Sequence, residues 1–147
     1  MRRFVFPLEP VLKLRRVQED VASRDLVAAK TRRVQEERLL AELRRLWHTT
    51  AQELRAAASE GRVEEMAAVG ARLEQIRRHI EESEQRLEAL RKSEAEKHVR
   101  LIEAARQRGV VERLKERQEQ AFKINERRRL DKLSDELTVL RKSRKEV

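Results

Sequence analysis

One short stretch limits what this chain can become. From Pro10 to Val147 there is no further proline, and the helical pattern breaks clearly only at Ala58-Ser59-Glu60-Gly61-Arg62. Before it, apolar residues recur at helical spacing; after it they do so again. A glycine just past a helix end can take the left-handed backbone that closes the helix. Glu64 and Glu65 then suit the positive end of a new helix. The expectation is an all-α chain, a long antiparallel two-helix coiled-coil hairpin with helix 2 longer than helix 1. It is read as a single coiled-coil domain over residues 1–147, with helix 1 over about 8–58, a turn at about 59–62 and helix 2 over about 63–142. Gly70 is a second place for the bend, which would leave Val63–Val69 as a separate short turn.

Composition enters where disorder competes. Charged residues make up 43% and aromatic ones 3%. So much charge can keep a chain unfolded, but leucines and valines at helical spacing, with no strand or turn signals, favour long helices. On helix 1 the expected inner positions are Leu14, Val17, Val21, Asp25, Ala28, Arg32, Glu36, Leu39, Leu43, Leu46 or Trp47, Thr50, Leu54 and Ala57, at the period of a straight helix. Helix 2 shows a cleaner heptad: Leu73, Ile76, Ile80, Ser83, Leu87, Leu90, Glu94, Lys97, Leu101, Ala104, Arg108 and Val111. Folding about residues 60–61 pairs Leu54 with Met66, Trp47 with Leu73, Leu14 with Arg108 and Val11 with Val111. The last 28 or so residues then have no mate, an overhang of roughly 40 Å at 1.5 Å per residue. Phe4 and Phe6, ahead of Pro7 and Pro10, are expected to anchor on helix 2.

The chemistry of catalysis is missing from the pattern. His48, His79 and His98 are scattered, with no assembled nucleophile beside them. There is no cysteine, no pair of histidines four apart and no phosphate-loop glycine motif. The reading is therefore a non-enzyme without cofactors, metal or small-molecule substrate. No run of about 18 apolar residues could span a membrane, and the lack of cysteine fits a cytoplasmic setting.

Binding is the remaining option, and charge locates it. Net charge is +9. Residues 1–60 hold 13 Lys and Arg against 9 Asp and Glu, residues 61–107 hold 10 against 10, and residues 108–147 hold 13 against 8. The end where the termini meet is basic and attracts acidic partners. Leu130, Leu133, Leu137 and Leu140 repeat at intervals of 3, 4 and 3 on the unmated overhang. With Phe122, Arg127 and Arg128 they form the candidate partner-binding set. Arg127-Arg128-Arg129 ahead of a leucine repeat suggests a basic zipper on DNA, but the run is short and flanked by Glu126 and Asp131. Nucleic acid is thus the disfavoured reading. A structural, self-associating coiled coil is the other alternative.

The two ends carry a family pattern. Phe4-Val5-Phe6-Pro7-Leu8-Glu9-Pro10-Val11-Leu12-Lys13-Leu14-Arg15 resembles the start of the flagellar export protein FliJ family: an early Phe, then Leu, Val-Leu and Arg, with an acidic residue such as Glu19 following. Val111-Glu112-Arg113-Leu114-Lys115-Glu116-Arg117 resembles the family's charged segment around a leucine, and Asp135-Glu136 its acidic pair near the end. Phe122 stands where many members have tyrosine, a departure. The resemblance spans the whole chain. It implies a coiled coil similar to the gamma stalk of rotary ATPases, in the cytoplasm and peripheral at the cytoplasmic face of the inner membrane through the type III export apparatus. The implied partners are the flagellar export ATPase, whose ring assembly and activity such proteins promote, the export gate protein and export chaperones. The related stalk proteins of injectisomes are near neighbours.

Overall fold

Helix termination explains the topology. The computed structural model describes residues 2–147 and contains two helices, α1 (Glu9–Ser59) and α2 (Val63–Lys145). α1 opens on Leu8, whose carbonyl accepts the amide of Leu12 at 3.0 Å, and Pro10 lies in the first turn, where no amide is needed. It closes at Gly61, which has a φ of 70°. The Gly61 amide donates to the Ala58 carbonyl at 3.3 Å and the Arg62 amide to the Ala57 carbonyl at 3.0 Å. These two bonds form a Schellman cap, which satisfies carbonyls the helix would otherwise leave bare. Arg62 then starts α2, its carbonyl accepting the Met66 amide at 2.9 Å. The reversal lies at Gly61, and α2 runs on helically through Gly70 and Gly109. The fold is an all-helical antiparallel hairpin with a longer second helix.

The chain divides into two compact units. Val21–Ile102 form one; Met1–Asp20 and Glu103–Val147 form the other. In the first, Ala29, Leu40, Ala57, Val69, Ile76 and Leu87 are buried, together with Thr50 and Ser83. Its inward residues on α1 are Ala22, Leu26, Ala29, Arg33, Glu36, Leu40, Leu43, Trp47, Thr50, Leu54 and Ala57. They alternate at intervals of 4 and 3, the heptad of a left-handed coiled coil. Salt bridges fix the antiparallel register: Glu53 to Arg72 at 3.0 Å, Arg44 to Glu84 at 3.2 Å, Glu37 to Arg91 at 3.5 Å and Glu36 to Arg86 at 3.1 Å.

In the second unit Leu12 is fully buried and Phe6 is 5% exposed. Arg15 reaches Gln107 at 2.7 Å, Arg16 pairs with Glu112 at 3.1 Å, Glu9 with Lys115 at 2.8 Å, and Glu19 with Arg108. The heptad positions here are Leu12, Arg15 and Glu19 on α1, facing Arg108, Val111 and Lys115 on α2.

Helix 2's expected heptad holds at every position. Helix 1's does not. From Leu43 to Ala57 the expected and observed faces agree, but toward the N-terminus they part: Leu14, Val17 and Val21 are 54%, 57% and 49% exposed, and Asp25, Ala28, Arg32 and Leu39 are also outward. The cause is the period. A 3.6-residue step drifts about 20° per heptad from the 3.5-residue seam, so four heptads back from Leu43 the reading has slipped by about 80°. The pairing is also displaced: Arg108 meets Glu19 rather than Leu14, and Glu112 meets Arg16. Pairs such as Arg33 with Glu94 and Arg44 with Glu84 centre on Val63 and Glu64, about three residues later than residues 60–61, and each residue the centre moves shifts every partner by two.

Candidate partner-binding surface

The N-terminal segment decides where α2 becomes free. Residues 2–6 have no regular structure and continue into a turn at Pro7 and Leu8. An extended strand advances about 3.3 Å per residue, against 1.5 Å in a helix, so few residues reach far along α2. Phe6 is buried, and the Phe4 ring lies 5.7 Å from the Phe122 ring at an interplanar angle of 46°. The two phenylalanines therefore anchor the start of the chain on helix 2. They leave a groove lined by Arg3, Phe4, Val5, Phe6, Glu9, Lys115 and Glu119.

This strap corrects the length of the overhang. Phe122, Glu126 and Arg129 are half-buried. Every residue from Leu130 onward is exposed, although the helix persists to Lys145. The bare extension thus begins after Arg129 and spans about 24 Å of helix, shorter than the roughly 40 Å expected from helix pairing alone.

The structure places the candidate residues in two groups. Phe122 belongs to the strap contact. Leu130, Leu133, Leu137 and Leu140 are 50%, 43%, 58% and 60% exposed and share one face of the extension. At about 100° per residue the four fall within an arc of about 80°. Arg127 and Arg141 border that arc, whereas Arg128 lies on the opposite side with Asp131 and Asp135. Arg129 borders it too and donates to Glu126 at 3.0 Å. Val139, 65% exposed, sits away from the stripe. What sequence reasoning missed was Phe4 as the residue that covers Phe122; the signal was the pair of phenylalanines ahead of Pro7.

Electrostatics tie the second unit together beside this surface. Hydrogen bonding from Lys115 holds the Glu9 carboxyl below its ordinary value, and Arg16 does the same for Glu112. Arg108 is pushed up, first by its hydrogen bond to Glu19 and then by the charge of Glu112. No group of His, Asp and Glu among the described residues could hold a metal ion. His48 packs edge-on against Trp47 with ring centroids 5.5 Å apart, and His79 lies 3.7 Å from Glu82. Trp47 is half-buried on the inner face. No helix among the described residues is long and apolar enough to cross a membrane.

The family model described as "Flagellar FliJ protein" matches residues 4–146. No curated protein matches the chain, and no solved structure does.

Proposed function

Because the chain belongs to the flagellar FliJ protein family, its role lies in flagellar protein export, and we propose that it acts there as a non-catalytic, stalk-like adaptor of the export ATPase. In this reading the basic strap-side end and the C-terminal extension dock into the ATPase ring, promote its assembly and activity, and link it to the export gate and export chaperones at the cytoplasmic face of the inner membrane. The observation that carries the reading is the extension itself. A helix presenting four exposed leucines between Arg127 and Arg141 has a surface suited to burial against a partner. The family supports the flagellar export system, and in this reading the bare helix end is the docking element.

Truncation after Arg129 is the test. It removes the extension and keeps the Phe4–Phe122 contact. The expected result is loss of most of the stimulation of ATP hydrolysis by the export ATPase, while circular dichroism shows a helical hairpin. Undiminished stimulation would rule out the extension as the docking element.

A further inference from the structure

The chemistry of the extension selects one class of occupant, a deepening that rests on the adaptor reading. We propose that Leu130, Leu133, Leu137 and Leu140 form half of a two-helix seam, completed by a single amphipathic helix of a partner protein. That helix carries apolar residues at alternating 3 and 4 spacing, with Glu or Asp at the flanking positions.

Three observations lead there. The first is the width of the stripe. An arc of about 80° is the narrow seam of a coiled coil, whereas a helix lying on a broad apolar surface or in a bilayer needs a wider face. The second is its spacing. Intervals of 3, 4 and 3 repeat the spacing that α2 uses against α1, one residue out of that seam's register. The third is charge at the edges. Arg127 and Arg141 border the stripe on one side, and Arg129 and Glu136 on the other, while Asp131 and Asp135 face away. Flanking charges choose coiled-coil partners. An antiparallel second copy would set Arg127 against Arg141, and a parallel one would gain only the pair of Glu136 with Arg141, whereas an acidic helix would pair with Arg127 and Arg141 alike. The leucines contribute nothing to a nucleic-acid contact, whose affinity comes from phosphate charge.

The probe is a designed helical peptide about three heptads long, with Leu at the core positions and Glu at both flanking positions. Repulsion among its own glutamates keeps it from pairing with itself. Its match has Lys in place of every flanking Glu. Fluorescence anisotropy of each labelled peptide is measured against the full-length chain, and binding to vesicles of phosphatidylglycerol is measured in parallel. The Glu peptide is expected to bind about tenfold or more tightly than the Lys peptide, since Arg127 and Arg141 attract the one and repel the other. L133E/L137E is expected to lose at least tenfold of that affinity with an unchanged circular dichroism spectrum, since both side chains are exposed. R127Q/R141Q is expected to narrow the gap between the two peptides. Equal binding of both peptides, no binding of either, or retention by L133E/L137E would overturn the proposal. Leucine-dependent binding to vesicles without peptide binding would overturn it in favour of a lipid surface, and concentration-dependent self-association in sedimentation would do so in favour of a second copy. Because the peptide assay contains no ATPase, its failure is separable from that of the adaptor reading, which the truncation tests.

Discussion

Gly61 and Gly70 are the same residue type nine positions apart, and the chain uses them oppositely. Gly61 holds a φ of 70°, a conformation that costs an L-residue roughly 1–2 kcal/mol. Gly61→Ala should therefore destabilise the fold by about 1 kcal/mol in chemical denaturation, although a Cβ there meets nothing within 4 Å. Gly70 lies inside α2, and a Cβ there also meets open space. Gly70→Ala should stabilise by about 0.5–1 kcal/mol in the same measurement, the helix-propensity difference. Opposite signs from two identical substitutions would confirm that the reversal sits at Gly61. A denaturation midpoint that rises for Gly61→Ala would contradict the cap.

At the scale of the elements, the seam separates residues that composition makes look alike. Leu12 is fully buried and Leu14 is 54% exposed. Leu12→Ala should cost about 2–4 kcal/mol of stability, and Leu14→Ala should stay within about 0.5 kcal/mol of the parent, both read by thermal or urea unfolding. Equal effects would restore the face expected from a 3.6-residue period. That face was misread for a physical reason. Helix 2 is marked by Leu73, Ile76, Ile80, Leu87 and Leu101, so its heptad was legible residue by residue. The seam of α1 passes instead through Arg15, Glu19, Ala22, Ala29 and Arg33, which no hydropathy pattern picks out. Their partners identify them: Gln107, Arg108 and Glu94 lie across the seam. The reversal was legible as a choice between Gly61 and Gly70, which the cap bonds at Gly61 and Arg62 decide. The reach of the strap was not, because the phenylalanines announce an anchor without saying how far an extended segment carries it. Of the candidate surface, the leucine stripe could be read from its spacing, but its starting point depended on that strap.

The same cross-seam pairs give the hairpin a pH limit. Glu9 and Glu112 have carboxyls held below their ordinary value, chiefly by hydrogen bonds across the seam from Lys115 and Arg16 respectively. A carboxyl with a depressed folded-state pKa contributes stability that is present above the unfolded value and lost as pH falls through the folded one. The melting midpoint should therefore hold steady from neutral pH down to about 4.5, the ordinary carboxyl value, and fall below it. Because these pairs are largely open to water, moderate salt should blunt the acid effect. A midpoint that rises on acidification would contradict the register these pairs define.

At the scale of the whole molecule, the unequal lengths of the helices carry the functional argument. α1 has 51 residues and α2 has 83. The strap covers part of the difference, through Phe4 on Phe122, and the remainder is helical without burying an apolar side chain. An unsupported amphipathic helix of that length is marginal in water, so the extension should be the first part to fray. Hydrogen exchange should show this directly. Amides from Leu130 to Lys145 are expected to exchange orders of magnitude faster than those flanking Leu87 or Ile76, which lie in the buried seam. Partner binding should reverse the difference, slowing exchange along the leucine stripe while leaving the seam unchanged. Phe4→Ala adds a control: removing the ring that faces Phe122 should extend fast exchange back toward Phe122 without altering protection around Ser83, which is fully buried in the other unit. Protection of residues 130–145 equal to that of the seam in the isolated chain would mean that the extension already has a mate, and the docking argument would fall with it.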